Sequence, residues 1–544
     1  MQNFRFLCSA AVALLFVLAS CAPESAQLAT FSPDEITVGE PLAGRMEQNL
    51  ERLQSSIYLP PTVYDDKDWP GDFVGRTILG LSMESRALHK QVPLLDELIS
   101  GLDERMNPKG YMGPVYAPVL NEQALSGHGW LLRGLSECYD ATGDPSIKAS
   151  VGRIADSLFV PGKELYPTYP ITSDVRSNIG GEASGTIAGS IGSWMLSTDI
   201  GCVFIGMAGL VDAYGVVGGD ELKSVIDLLV ARFLEVDLAG IQAQTHATLS
   251  ALRGLLKYAS LTSDASLVDE VVKRWNLYVG EGMTCTYANY NWFGRPDSWT
   301  EPCAIVDSYM VAFELWRLTQ DPSYRNMAEL IFTNGICRAQ RANGGFGCEN
   351  CPVSPDQNLS VFIPEAHWCC TMRGAEGLSR AAQYRWAVKG SSLYVPFYGN
   401  GSLSAKGLEV SQTTAYPSDG KVAFTFTDNS KGIACLLVPD LPWAENQAVM
   451  VNGEQFIPEP SNGFLCIYKK FKKGDTVEIT FDMPLRSDEW NGYARYFKGP
   501  VMMGLPAADS AAAAEDLAAL EAGLVPVPNM MEPVTPVLQV LFSK

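Results

Sequence analysis

The chain has 544 residues, 47% of them hydrophobic, and carries 61 acidic against 40 basic side chains for a formal net charge of −21. No basic stripe interrupts this acidic balance, which argues against nucleic acid as a partner. The length exceeds what one small core organises, so two or more domains are expected.

The first 21 residues, MQNFRFLCSAAVALLFVLASC, combine Arg5, a short apolar run and small residues ahead of a cysteine, the pattern of a secretory signal rather than a membrane span. Leu18-Ala19-Ser20-Cys21 has the form of a bacterial lipobox. Residues 1–20 are therefore read as a lipoprotein signal peptide, with Cys21 as the acylated first residue of the mature chain and 21–44 as a linker. An ordinary signal peptide cut nearby is the alternative. The expectation is a lipoprotein of the cell envelope, periplasmic or surface-facing, touching the membrane only through its lipid. No later apolar run is long enough to span a bilayer.

From about residue 45 a loose repeat begins: GLSECYDATGDPS, GLVDAYGVVGGDEL, GLLKYASLTSDASL and AFELWRLTQDPSY. Each reads as an apolar helix ending in a polar turn, with Asp144, Asp220, Asp264 and Asp321 placed to cap the helix that follows. Leu131, Leu135, Cys138 and Tyr139 share a helical face, as do Leu249, Leu252, Leu256 and Ala259, and Val306, Met310, Phe313 and Trp316. Paired helices of irregular length predict a mainly α domain over 45–388, an (α/α)6 toroid, with a stacked solenoid as the alternative.

Beyond residue 389 the period changes to two. Val422, Phe424 and Phe426 alternate with polar residues, as do Val477, Ile479 and Phe481, and Asn452-Gly453 is a two-residue hairpin signal. A β-sandwich is expected over 389–505. The alanine-rich stretch that follows predicts a surface helix and tail over 506–544.

Thirteen cysteines are present, and removing Cys8 and Cys21 with the leader leaves an odd number, so not all can be paired. Cys369 and Cys370 are adjacent, a poor arrangement for an ordinary disulfide. They are two buried thiols, a strained vicinal disulfide, or ligands. Upstream lie Glu301 and Cys303 in WTEPCAIVDSYM, and Cys348 and Cys351 as a C-x-x-C. Thiolates and a carboxylate suit zinc, and four of them complete its shell. Cys348 and Cys351 are rivals for the metal, or a local disulfide.

Glu301-Pro-Cys303 followed far downstream by Cys369-Cys370 resembles the zinc site of the β-L-arabinofuranosidase family, glycoside hydrolase family 127. The segments LSGHGWLLRGLSECYDATGD and QTHATLSALRGLLKYASLTSD resemble its histidine-bearing helices. LYVPFYGNGSL, VMVNGEQF, KKGDTVEITFDMPLR and RYFKGPVMMG resemble its sandwich, so the likeness covers roughly 45–505. The resemblance implies Zn2+ held by Glu301, Cys303, Cys369 and Cys370, Cys369 as a nucleophile forming a thio-glycosyl intermediate, and His128 and His246 as sugar contacts. Two departures stand out. The family's acid/base glutamate should fall close to Cys285, with Glu281 and Asp297 the nearby carboxylates, and a family histidine is replaced at or beside Cys202. His367 is read either as a support to the metal or as exposed, and the aromatic run YANYNWF either as sugar-stacking or as packing.

The function expected is a retaining glycoside hydrolase releasing L-arabinofuranose or a related rare plant cell-wall sugar from an oligosaccharide or glycan. A non-catalytic glycan-binding lipoprotein on the same fold is the alternative, then a polysaccharide lyase. A lyase would need basic and tyrosyl groups around a uronate, and the chain has only four histidines.

Overall fold

The computed structural model describes residues 28–116, 118–176, 184–507, 521–528 and 536–543. The leader with Cys21, and most of the alanine-rich segment expected to be helical, lie outside these residues. Among the described residues six long helices, Asp72–Ala87, Glu122–Thr142, Val203–Val217, Thr245–Thr262, Pro302–Thr319 and Cys370–Gln383, pack each against the next and the last against the first. That closure is what distinguishes a toroid from an open solenoid. The outer helices Leu42–Arg52, Pro93–Ser100, Pro145–Ile154, Asp220–Leu234, Ser266–Glu281 and Pro322–Leu330 each lie against an inner one, completing the (α/α)6 arrangement.

The two layers differ in sequence for a physical reason. An outer helix needs one apolar face, as with Leu222, Val225, Ile226 and Leu229, whereas an inner helix is enclosed on nearly every side and is apolar around most of its circumference. Close crossing also demands glycine: a Cβ on Gly209 would lie 2.1 Å from the Gly129 carbonyl oxygen, so these two helices meet backbone to backbone. Asp144 and Asp321 accept the amides of Ser146 and Ser323 at 2.8 and 2.9 Å, each ahead of a proline in the first helical position. Asp264 accepts the Ser266 amide at 3.0 Å. Asp220 departs from the expectation: it is the first residue of its own helix, behind Gly219.

The sandwich consists of a seven-stranded and a six-stranded sheet. Val422 faces Ile479 and Phe424 faces Val477 across the antiparallel strands Lys421–Asp428 and Thr476–Asp482, and their side chains share one core with Leu436, Val438 and Ile467 of the second sheet. Asn452 and Gly453, with φ of 54° and 79°, form the tight turn that pairs Val451 with Glu454. Two short pieces of the stretch read as a linker are strands of this domain: Ala29–Thr30 pairs with Ala387–Lys389 in one sheet, and Ile36–Val38 with Gly401–Ala405 in the other. The region 389–505 also divides. Leu485–Trp490, Tyr493–Lys498 and Val501–Pro506 form a separate sheet with Val525–Pro526, and Leu538–Gln539 pairs alongside. Its Phe497, Met502 and Leu538 sit in the core of the toroid. Among the described residues no helix is long and apolar enough to cross a membrane.

Candidate active site

All six inner helices present their first or second turn to the same end of the ring. Asp72, Phe73, Arg76, Ser126, Ile205, His246 and Cys370 from those turns, with Glu301 at the head of its helix, line a cavity of about 730 Å3. Unpaired amides and aligned dipoles at helix N-termini make this end favourable to negative charge, carboxylates and thiolates included.

Glu301 occupies the cap of Pro302–Thr319, with Cys303 in the first turn. Cys369 precedes and Cys370 begins Cys370–Gln383. Ring closure brings these two helix starts together, and one donor atom from each of the four residues lies within 4.8 Å of the others. The Cys369 and Cys370 sulfurs are 3.3 Å apart and those of Cys303 and Cys370 3.7 Å. All eleven described cysteines are free thiols, so the adjacent pair is no vicinal disulfide and Cys348 and Cys351 form no local one. The set can hold a metal ion, and its chemistry, three sulfurs and one carboxylate, suits zinc. Glu301 Oε2 is buried with no protein partner, an oxygen left over for such an ion.

The surroundings fix the ligand set. Asn289 Oδ1 accepts the Glu301 amide at 2.9 Å, and His246 Nδ1 lies 3.1 Å from Glu301 Oε1. Burial works against a charged imidazole, but Glu301 outweighs it and raises the His246 pKa. Arg76, held by Asp72 at 2.6 and 3.0 Å, donates to Cys303 Sγ at 3.4 Å. Among the three thiols the surroundings favour a negative charge at Cys303 over Cys369 and Cys370. Burial opposes it at Cys303, but hydrogen bonds from Cys369 and Cys370 and the Arg76 charge bring that thiol well below the ordinary range. Hydrogen bonding to Cys303 pushes Cys369 up, and burial with the same kind of bond pushes Cys370 up.

Other residues singled out from sequence fall differently. His128 does not line the cavity. Its Nε2 accepts the Met112 amide at 2.9 Å and its Nδ1 lies 2.7 Å from the Ala124 carbonyl, and burial lowers its pKa to about 4. It is a satisfied core histidine, which corrects the sugar contact expected of it. Cys285 is fully buried away from the cavity wall, near the Pro352 carbonyl, and Glu281 and Asp297 are exposed. Cys202 is buried and off the wall. Cys348 lines the cavity outside the four-residue group, while Cys351 points to the Asn289 carbonyl at 3.8 Å. The His367 ring packs edge-on against Trp368.

Sequence reasoning missed much of the wall. Ser126 Oγ and both amide atoms of Asn291 are buried without a protein partner on the cavity lining, free to meet hydroxyl groups. Asn291 stands inside YANYNWF, whose aromatic residues drew the attention. At the mouth, Trp299 stacks on Phe362 at 5.2 Å, and Trp368 is 48% exposed.

Residues 234–383 match the family model described as the β-L-arabinofuranosidase, GH127 catalytic domain, and residues 392–483 that of the GH127 middle domain. The protein is a glycoside hydrolase. Its fold is shared by a solved GH127 β-arabinofuranosidase at 18% identity (TM-score 0.65, covering 89% of this chain and 86% of that one). A solved glycoside hydrolase also matches at 18% identity (TM-score 0.68, 89% and 84%). So does a GH127 β-L-arabinofuranosidase from Geobacillus stearothermophilus T6 at 17% identity (TM-score 0.59, 86% and 81%). Comparison with curated protein sequences finds no match. Both matching models, over residues 234–383 and 392–483, are those of glycoside hydrolase family 127.

Proposed function

We propose that the protein releases L-arabinofuranose, or a related rare plant cell-wall sugar, from a glycan with retention of configuration, using Cys369 as nucleophile. The observation that carries this reading is the four-residue group at the cavity, in which Cys369 is half-buried while Cys303 and Cys370 are buried. Cys369 and Cys370 both line the cavity, and Cys369 is the more exposed of the two, which supports it as the sulfur that meets a bound sugar. Glu301, Cys303, Cys369 and Cys370 would hold zinc, which when bound supplies the positive charge that keeps thiols deprotonated near neutral pH.

In the first step the Cys369 sulfur attacks the anomeric carbon, forming the S–C bond as the bond to the aglycone oxygen breaks. Water then attacks the same carbon and the thiolate leaves. Two displacements restore the original configuration. Ser126 and Asn291 would bind ring hydroxyls through their unpartnered polar atoms. The leader supports a further proposal, export as a lipoprotein anchored through Cys21. The test is hydrolysis of aryl β-L-arabinofuranosides followed by NMR of the first-formed anomer: the β-anomer is expected, with turnover lost in Cys369→Ser. Hydrolysis surviving in that variant would refute the nucleophile.

A further inference from the structure

A retaining hydrolase needs, besides its nucleophile, a group that protonates the departing oxygen and then takes a proton from water. This inference rests on the hydrolase reading above and names that group. The carboxylates on the cavity wall are Asp65, Asp66, Asp68, Asp72, Asp199 and Glu301. Asp72 is bound at both oxygens by Arg76, at 2.6 and 3.0 Å. Glu301 belongs to the cysteine group. Asp65 and Asp68 are exposed, Asp65 beside Lys67 at 3.5 Å. Asp66 spends its two oxygens on the amides of Trp69 and Phe73, at 3.0 and 3.4 Å, fixing the start of the first inner helix.

Asp199 is different. It is 7% exposed and lies between the strand Trp194–Ser197 and the helix Val203–Val217. The Ser184 hydroxyl donates to its Oδ1 at 2.9 Å, and its backbone amide donates to Ser197 Oγ at 3.1 Å, so one serine holds the carboxyl and the other the backbone beside it. It lies within the field of Glu301 and His246, and Glu301 is grouped with Cys369.

We propose that Asp199 is the general acid and base of the reaction. In the first step its proton passes to the aglycone oxygen as Cys369 takes the anomeric carbon. In the second its carboxylate accepts the proton of the attacking water as the thiolate departs. Burial first, then the Glu301 charge, push its carboxyl up to about 6, against the opposing pull of Ser184, the Gly185 amide and His246. A group at that value holds a proton for the first step and surrenders it for the second. Asp66 is also pushed up, to about 7, by burial and then by Asp72, which makes it the rival to be tested.

The experiment uses the zinc-loaded full chain and compares leaving groups in wild type, Asp199→Asn and Asp66→Asn. For Asp199→Asn, kcat/KM on alkyl or sugar aglycones is expected to fall by about 10²–10⁴-fold, the usual worth of a general acid. On 2,4-dinitrophenyl furanoside, whose leaving group needs no proton, it should fall less than about tenfold. Azide should accelerate this variant and yield the glycosyl azide with retained configuration, and the alkaline limb of kcat/KM should vanish. As a second readout, independent of that variant's folding, Ser184→Ala removes a bond that favours the ionised carboxyl and should move the limb to higher pH. Two outcomes overturn the assignment: wild-type leaving-group dependence in Asp199→Asn with an unmoved limb in Ser184→Ala, or the full signature appearing in Asp66→Asn instead. Wild type that hydrolyses no furanoside refutes the proposed function and this assignment together, whereas active wild type with an unaffected Asp199→Asn refutes this assignment alone.

Discussion

Replacing Asp212 with asparagine removes one negative charge from beneath three cations on the two inner helices that flank its own. Arg133, Arg253 and Lys257 reach its carboxylate at 3.0, 3.2 and 2.5 Å, and Asp212 itself is 2% exposed. Breaking a buried pair by removing one partner costs about 3–5 kcal/mol, because the remaining charge stays in a poorly solvating interior. Here the lower end applies. Lys257 is 39% exposed and can turn to water, Arg133 keeps Glu376, and Arg253 keeps Asp307 at 3.5 Å. At about 2.1 cal/mol/K per residue over a toroid of roughly 340 residues, about 3 kcal/mol corresponds to a fall in Tm of about 4 °C. The pH dependence has a definite sign. Burial pushes the carboxyl up, but Lys257 and Arg253 outweigh it and hold the pKa below its ordinary value. The stabilisation is therefore complete above the unfolded value of about 3.9 and is lost as pH falls through the lower folded one. Calorimetric melting of both proteins should show a constant gap from about pH 5 to 7 that narrows below about pH 4. A gap under about 1 °C, or one that widens on acidification, would refute the reasoning.

Three further outcomes are expected. Cys303→Ser should drop the zinc content of reduced protein from about one equivalent to near zero, with Cys348→Ser and Cys351→Ser unaffected; the reverse pattern in elemental analysis would move the centre to the C-x-x-C. Trp368→Ala should raise KM for a disaccharide about fivefold, the worth of about 1 kcal/mol of ring contact, and leave its kcat unchanged. An unchanged KM would remove the mouth from substrate binding. Gly209→Ala forces two helix backbones apart and should lower stability by about 1–3 kcal/mol in guanidinium titration; a neutral result would show that the crossing has slack.

The toroid was legible because its turns repeat: an aspartate ahead of a helix is a chemical signal, and Asp144 and Asp321 behave as such. The alternation in 421–428 and 476–482 was equally clear, because one face of each strand enters a core. The strands at 29–30 and 36–38 were not legible, being two and three residues long and too short to show any period. At the site, residues of distinctive chemistry could be found far apart in the chain, and Glu301, Cys303, Cys369 and Cys370 do come together. Asp199, Ser126 and Asn291 could not be found, because an aspartate in a loop or a serine in a helix says nothing about facing a cavity until the ring closes. His128 shows the opposite error, a chemically suggestive residue whose two nitrogens are already used by the backbone.

The central claim is that a sugar becomes bonded to Cys369. The direct measurement is to incubate the zinc-loaded protein with a slowly turned-over 2-deoxy-2-fluoro arabinofuranosyl donor and map the adduct by peptide fragmentation that separates Cys369 from Cys370. The account predicts one sugar mass on Cys369, formed at a rate that matches loss of activity and absent from Cys369→Ser. A sugar found on Cys370 or on a carboxylate, or continued turnover by Cys369→Ser, would contradict it.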